Sequence, residues 1–228
     1  MSITRMLAGH LSNYGNRNSL GSKLRARRIA PLLYMIDQTF ERHGFVKIVD
    51  VGGTETYWNI VPREYLAERR VEIVIVNLGA PPEDGAPFRF VAADGCDLSC
   101  FEDNSFHIAH SNSVIEHVGD WDRMVRFASE LSRVAEKYFV QTPNYWFPIE
   151  PHCMTPFFHW LPRPFRVWLV SRFQLGHWEK AASVDQAVRT VESARLLNRG
   201  MFRELFGGAR IITERFFFLP KSLIAVRR

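Results

Sequence analysis

No stretch of these 228 residues approaches the roughly 18 to 20 uninterrupted apolar residues that a membrane-spanning helix needs. The opening, MSITRMLAGHLSNYGN, likewise lacks the sustained apolar region of a secretory leader, so a cytoplasmic protein is expected. Cysteine is scarce: Cys96, Cys100 and Cys153 form an odd set whose spacing is neither a zinc nor a redox pattern. Three free thiols and no metal site are the expectation. A concentrated basic run is also missing, because the net charge of +5 (pI near 9.3) is spread along the chain. That charge permits an anionic partner without singling out nucleic acid or an acidic membrane. At 46% hydrophobic residues, the length suits one well-buried core.

Residues 1–22 are polar and rich in Gly, Asn and Ser, and are expected to form an arm outside the fold. From Lys23, the helical spacing of Ile29, Leu32, Leu33, Ile36 and Phe40, followed by Gly44, predicts an amphipathic helix with its stop signal. Strands are predicted over Val46–Val51, Val71–Val76, Phe88–Ala92, Phe106–His110 and Tyr138–Gln141. Between them, a helix is read over Tyr57–Glu68, with Pro62 obscuring its start, and another through Trp121, Met124, Val125, Ala128, Leu131 and Ala135. Strands apolar on both faces and separated by helices predict an α/β fold with a parallel sheet covered on both sides. The pattern lapses over 144–190, where five prolines and three of the six tryptophans gather before Phe173. This segment reads as an insertion over one end of the sheet, neither strand nor smooth helix. Afterwards Leu197, Met201 and Leu205 share a helix face ending at Gly207-Gly208, and Arg210–Phe218 and Ser222–Val226 read as closing strands. One domain over 23–228 is expected.

The turn after the first strand, VDVGGTETYW, is where an open parallel sheet would bind a ligand. A dinucleotide fold would want G-x-G-x-x-G and an acidic residue about 20 positions on. Here Thr54 and Thr56 replace later glycines and the second strand ends in Asn77, so that reading is weak. Asp50 stands inside the apolar strand end, where a buried carboxylate needs a partner. Capping of nearby backbone amides is one account of it, and ligand binding the other.

Taken together, VDVGGTETYW, VEIVIVNL, VAADGCDL, FEDNSFHIAHSNSVIEHV and YFVQTPNYWFPIEPH resemble, in order and interval, the class I S-adenosylmethionine-dependent methyltransferases. The similarity is greatest to small bacterial enzymes with a D-x-G-G-T first motif, and it runs from about Phe45 to the end. It implies a Rossmann-like sheet of about seven mostly parallel strands, the last antiparallel, with S-adenosylmethionine as cofactor and S-adenosylhomocysteine as product. The cofactor residues it implies are Asp50, Gly52, Gly53 and Thr54 for the methionine part, Asn77 with Leu78 for the ribose, Asp94 with Gly95 for the adenine, and Ser111 with Asn112 beside the methyl group. Asn77 departs from the acidic residue common at its position, although an amide can serve both ribose hydroxyls.

Methyl transfer from a sulfonium needs placement and water exclusion, and a general base only for some acceptors. His152 and Glu150, just past the fifth strand, and His117 are the catalytic candidates, with a structural hydrogen-bonding role the competing reading for His117. Tyr145, Trp146 and His159 are candidate acceptor-binding residues in a lid over 144–190, against plain packing of an aromatic subdomain. A small-molecule or lipid-linked acceptor is expected and nucleic acid is not, since no target-recognition module fits the length. The alternative is a methyltransferase-like binding or assembly subunit without turnover. Arg163–Phe173 reads as a buried lid helix with snorkelling arginines, against peripheral attachment at the inner membrane. Neither the acceptor nor the oligomeric state is legible.

Overall fold

The computed structural model describes residues 28–79 and 85–228; the expected arm over 1–22 lies outside them. Helix α1 (Ala30–His43) ends at Gly44, whose left-handed φ of 75° lets its N–H donate to the Phe40 carbonyl. Strand β1 (Val46–Val51) follows, then short helices α2 (Glu55–Trp58) and α3 (Arg63–Glu68), β2 (Val71–Asn77), β3 (Phe88–Ala92) and β4 (Phe106–Asn112). A 3-10 turn (Ile115–His117), α4 (Trp121–Val134) and β5 (Ala135–Pro143) complete the alternating part. The single helix predicted over Tyr57–Glu68 is two, because Pro62 has no N–H to continue a helix and instead precedes the first turn of α3.

Beyond β5 come a two-residue hairpin, β6 (Ile149–Glu150) and β7 (Thr155–Pro156), then α5 (Arg163–Arg172), α6 (Val184–Glu192), α7 (Arg199–Leu205), β8 (Arg210–Phe216) and β9 (Leu219–Arg227). The 144–190 segment is therefore more helical than its prolines suggest. Pro164 falls in the first turn of α5, where a missing N–H breaks no bond. Ser183 caps α6 by accepting from the Gln186 N–H. On α7 the buried residue is Phe202, not Met201, and Leu197 precedes the helix.

The main sheet has the order β3-β2-β1-β4-β5-β9-β8, with β9 antiparallel to both its neighbours and the other pairings parallel. The two-residue period of the strands divides the core. Val46 and Ile48 face α1, α2 and α3 with Ile73, Ile75 and Ile108, whereas Val49 and Val51 face α4 and α7 with Val74, Val76 and Val140. A third, smaller core of Cys153, Phe158, Val170, Ala187 and Val191 holds α5 against α6. The cysteines are free, and no described helix is long and apolar enough to cross a membrane.

Candidate functional site

Strand order reverses between β1 and β4, so the exits of these two strands leave a crevice. A cavity of about 280 Å³ occupies it, lined from β1 by Asp50, Gly52, Gly53, Thr54, Thr56 and Tyr57 and from β4 by His110, Asn112 and Ser113. The glycines are required by close packing. Gly52 has φ 73°, and a Cβ on it would lie 2.5 Å from Val114 Cγ2; one on Gly53 would lie 1.8 Å from Asp50 Oδ2. Thr54 caps α2, and Asn77 at the end of β2 donates from Nδ2 to the Gly53 carbonyl at 2.8 Å.

Asp50 is fully buried, and among the described residues its hydrogen bonds go to side chains rather than to backbone amides. Trp58 Nε1 donates to its Oδ2 at 2.7 Å, and His110 Nδ1 lies 2.6 Å from its Oδ1. His110 Nε2 reaches the Tyr57 hydroxyl at 3.2 Å, and its ring stacks on Phe139. Register explains the assembly, since Asp50 pairs with His110 across β1 and β4, and His110 with Phe139 across β4 and β5. The carboxylate thus lies under the glycine turn with both oxygens engaged. His110, Tyr57 and Trp58 were not singled out as site residues, although the last two stand in the same ten-residue stretch.

Of the other candidate cofactor residues, Asn112 lines this cavity, whereas Asn77, Leu78, Asp94, Gly95 and Ser111 are not part of its lining. Ser111 is buried and donates to the Val51 carbonyl, tying β4 to β1. Asn112 Oδ1 accepts from Arg28 Nη1 at 3.3 Å, and Arg28 is forked onto Glu214. Leu78 is 80% exposed just past Asn77. Asp94 accepts from Arg123 Nη2 and from the Cys96 N–H, and the guanidinium holds its carboxyl below the usual range. Gly95 is a packing requirement, with Val51 Cγ1 2.7 Å from where its Cβ would be.

The three candidate catalytic residues form one chain. Glu150 Oε1 lies 2.6 Å from His152 Nδ1, and His152 Nε2 lies 3.0 Å from His117 Nε2. His117 Nδ1 reaches the Ser193 carbonyl at 2.7 Å. Burial lowers the His117 pKa, and the neighbouring His152 adds to this. Burial also opposes charge on His152, but its hydrogen bond to Glu150 and that carboxylate's charge prevail, raising its pKa. Burial disfavours charge on Glu150 in turn, and His152 with the Cys153 N–H outweighs it. Glu116, the neighbour of His117 after the fourth strand, is buried beside them. Its Oε2 accepts from Thr142, its Oε1 has no hydrogen-bond partner among the described residues, and burial pushes its pKa up to about 7.

Tyr145, His159 and Glu150 line a hollow of about 540 Å³ beneath the lid, together with Trp160, Arg163, Arg166 and Arg195. The Tyr145 carbonyl accepts from Trp160 Nε1 and pairs with His159 Nε2. Trp146 packs edge-on to Tyr145 but is 57% exposed and outside the lining. Helix α5 is not the buried helix expected: of its residues only Val170 is buried, and Phe165 and Trp168 stack on its exposed face. A larger hollow of about 1010 Å³ at the N-terminal ends of β2 and β3 is remote from the reversal and borders the undescribed 80–84, so it supports no site.

Comparison with known proteins bears on this geometry. Residues 64–138, about a third of the chain, match the family model described as methyltransferase domain. An S-adenosylmethionine-dependent methyltransferase from Mesorhizobium loti superimposes with a TM-score of 0.50 over 87% of this chain and 98% of that one, at 14% identity. The fold is that of the Rossmann-like methyltransferases. The cofactor that goes with this domain and this fold is S-adenosylmethionine. A Methanosarcina mazei S-adenosylmethionine-dependent methyltransferase is similar at 14% identity, covering 80% of this chain and 91% of that one, with a TM-score of 0.45. Burkholderia thailandensis 1,6-didemethyltoxoflavin-N1-methyltransferase, with 1,6-didemethyltoxoflavin and S-adenosylhomocysteine bound, is similar at 12% identity, covering 99% and 90%, with a TM-score of 0.47. Among curated protein sequences none matches.

Proposed function

We propose that this chain is an enzyme that transfers a methyl group from S-adenosylmethionine to an O, N or C atom of a small-molecule or lipid-linked acceptor. The observation that carries the reading is the cavity at the β1/β4 reversal, walled by the Gly52-Gly53 turn and the polar end of β4. The residues present suit the cofactor. The two glycines of the turn bring no side chains of their own into the cavity, Asn77 keeps Oδ1 as an acceptor for a ribose hydroxyl, and Asp94 is held ionised to accept from an adenine amine. Asn112 and Ser113 present polar groups toward the methionine end. Asp50 acts on the cofactor through the turn it supports. Bound there, the cofactor supplies a methyl group already activated on a sulfonium.

What remains for the protein is to bring the acceptor to about 3 Å from that carbon and keep water out. The hollow under the lid is the acceptor's place, with Tyr145 and His159 in its wall and Trp146 packed behind Tyr145. Arg166 lines this hollow and its Nε has no hydrogen-bond partner among the described residues, which favours an acceptor carrying an anionic group. Glu150 lines the same hollow and leads to His152 and His117, where a proton leaving the acceptor would be received. Exposed Phe165, Trp168 and Phe173, with Phe217 and Phe218 at the β8–β9 turn, favour a lipid-linked acceptor met at the cytoplasmic face of a membrane.

Methyl-labelled S-adenosylmethionine incubated with the protein and, separately, with soluble and lipid extracts tests this. Acceptor-dependent S-adenosylhomocysteine release with label in the lipid phase is expected. Cofactor binding with no transfer to any extract would instead support a non-enzymatic binding subunit, which no feature of the structure favours now.

A further inference from the structure

Glu116, His117 and His152 come from two different elements, the turn after β4 and the loop after β6, yet their ligand atoms lie within 4.8 Å of one another. The tautomers of the two histidines are constrained by what each Nδ1 faces. His117 Nδ1 faces the Ser193 carbonyl, which can only accept, and His152 Nδ1 faces the Glu150 carboxylate, so both Nδ1 atoms carry protons. When both rings are neutral, the two Nε2 atoms turn lone pairs toward each other at 3.0 Å. Two acceptors at that distance repel unless a proton or a cation lies between them. Glu116 Oε1 adds a third electron pair beside them, buried and unpartnered among the described residues.

We propose that Glu116, His117 and His152 form a binding site for a divalent transition-metal cation of the zinc type, with Glu150 and the Ser193 carbonyl as outer partners. Two imidazoles and one carboxylate are a borderline donor set that suits such a cation and leaves positions open for water or an acceptor oxygen. Bonds of about 2.0–2.1 Å hold two imidazole nitrogens roughly 3.0–3.4 Å apart, so the pair needs little movement to close on an ion. The outer contacts, carboxylate to one ring and backbone carbonyl to the other, are those that orient metal-ligating histidines. An ion there accounts for both unexplained features, the facing lone pairs and the orphaned carboxylate oxygen. Glu150 also lines the hollow under the lid, so the site borders the space assigned to the acceptor; with a cation on both Nε2 atoms the rings would no longer receive the acceptor's proton, and the cation would instead lower the pKa of a coordinated hydroxyl. The binding site itself does not depend on the methyl-transfer reading, since its test measures metal binding.

The protein, stripped with chelator, is titrated with Zn²⁺ by calorimetry. One equivalent is expected to bind, with release of protons and affinity that falls as pH is lowered from 8 to 6. His117→Ala, His152→Ala and Glu116→Gln should each weaken binding at least tenfold, and Glu150→Gln by about 10- to 100-fold. Cys100→Ser, which removes the exposed thiol, should bind as the parent does. Absence of saturable binding to the parent, or variants that all bind like it, would overturn the site. Should the buried Glu116→Gln variant not fold, Co²⁺ added to the parent decides. Visible d–d bands without thiolate charge transfer support the site, and a thiolate band contradicts it.

Discussion

At the scale of single residues, Asp50 shows how a site residue acquires its surroundings. A carboxylate inside an apolar strand end announces that something must pair with it, but the partner sits 60 positions away in β4 and becomes visible only through strand register. Trp58 is nearer, eight positions on, and is brought under the turn because α2 starts at once after Gly53 and Thr54. Asp50→Ala leaves two buried donors unpaired and is expected to cost about 3 kcal/mol in chemical denaturation. Cofactor affinity falls with it, through loss of the turn; an unchanged stability would mean the network contributes nothing. Glu116 gives a second prediction at this scale. Its carboxyl pKa is about 7 when folded against 4.5 as the ordinary value, so the stability it contributes is full below pH 4.5 and is lost as pH rises through 7. In metal-free protein that loss is roughly 3 kcal/mol between pH 4.5 and 8. Glu116→Gln should flatten this part of the pH–stability curve, and parallel curves for variant and parent would contradict the burial argument. The sequence puts Glu150 and His152 just past the fifth strand and His117 after the fourth, but nothing in the spacing of 35 residues between the histidines shows that their rings would meet. That Glu116 is buried is not legible either, because a glutamate in a helical turn gives no sign of it.

Among the elements, the regular ones were legible and the boundaries less so. Runs such as VEIVIV and the stripe through Trp121–Leu131 state their periods plainly, and β2 and α4 lie where those periods put them. Its prolines make the lid look irregular, yet Pro162 and Pro164 stand at a helix start, where they are tolerated. The burial of α5 is not legible in its own sequence either. Its apolar residues Phe165 and Trp168 are as apolar as Val170, and only the position of α6 decides which side is covered. If that exposed face meets lipid, Trp168→Ser with Phe165→Ser should abolish sedimentation with anionic vesicles while leaving cofactor affinity unchanged. Sedimentation equal to the parent's would remove the membrane reading. Gly53→Ala tests the turn as a unit. The added Cβ falls on the Asp50 carboxylate, which cannot retreat without losing Trp58 or His110, so cofactor affinity should drop by at least tenfold.

For the whole molecule, strand order brings the parts together. The reversal between β1 and β4 places the exit of each beside the other, and the antiparallel β9 brings the β8–β9 turn to the end of the sheet from which the lid departs. Alternation of strands and helices makes the α/β class readable and resemblance to a known family implies about seven strands with the last antiparallel, whereas strand order is not legible, since pairings between distant segments leave no local mark. The central claim is that the crevice at this reversal holds S-adenosylmethionine and its product. Calorimetric titration of the purified protein with S-adenosylhomocysteine tests it most directly. The account predicts one saturable site with a dissociation constant on the order of 10 μM, weakened several-fold in Asn77→Ala; a folded protein that shows no saturable binding at millimolar ligand would contradict it.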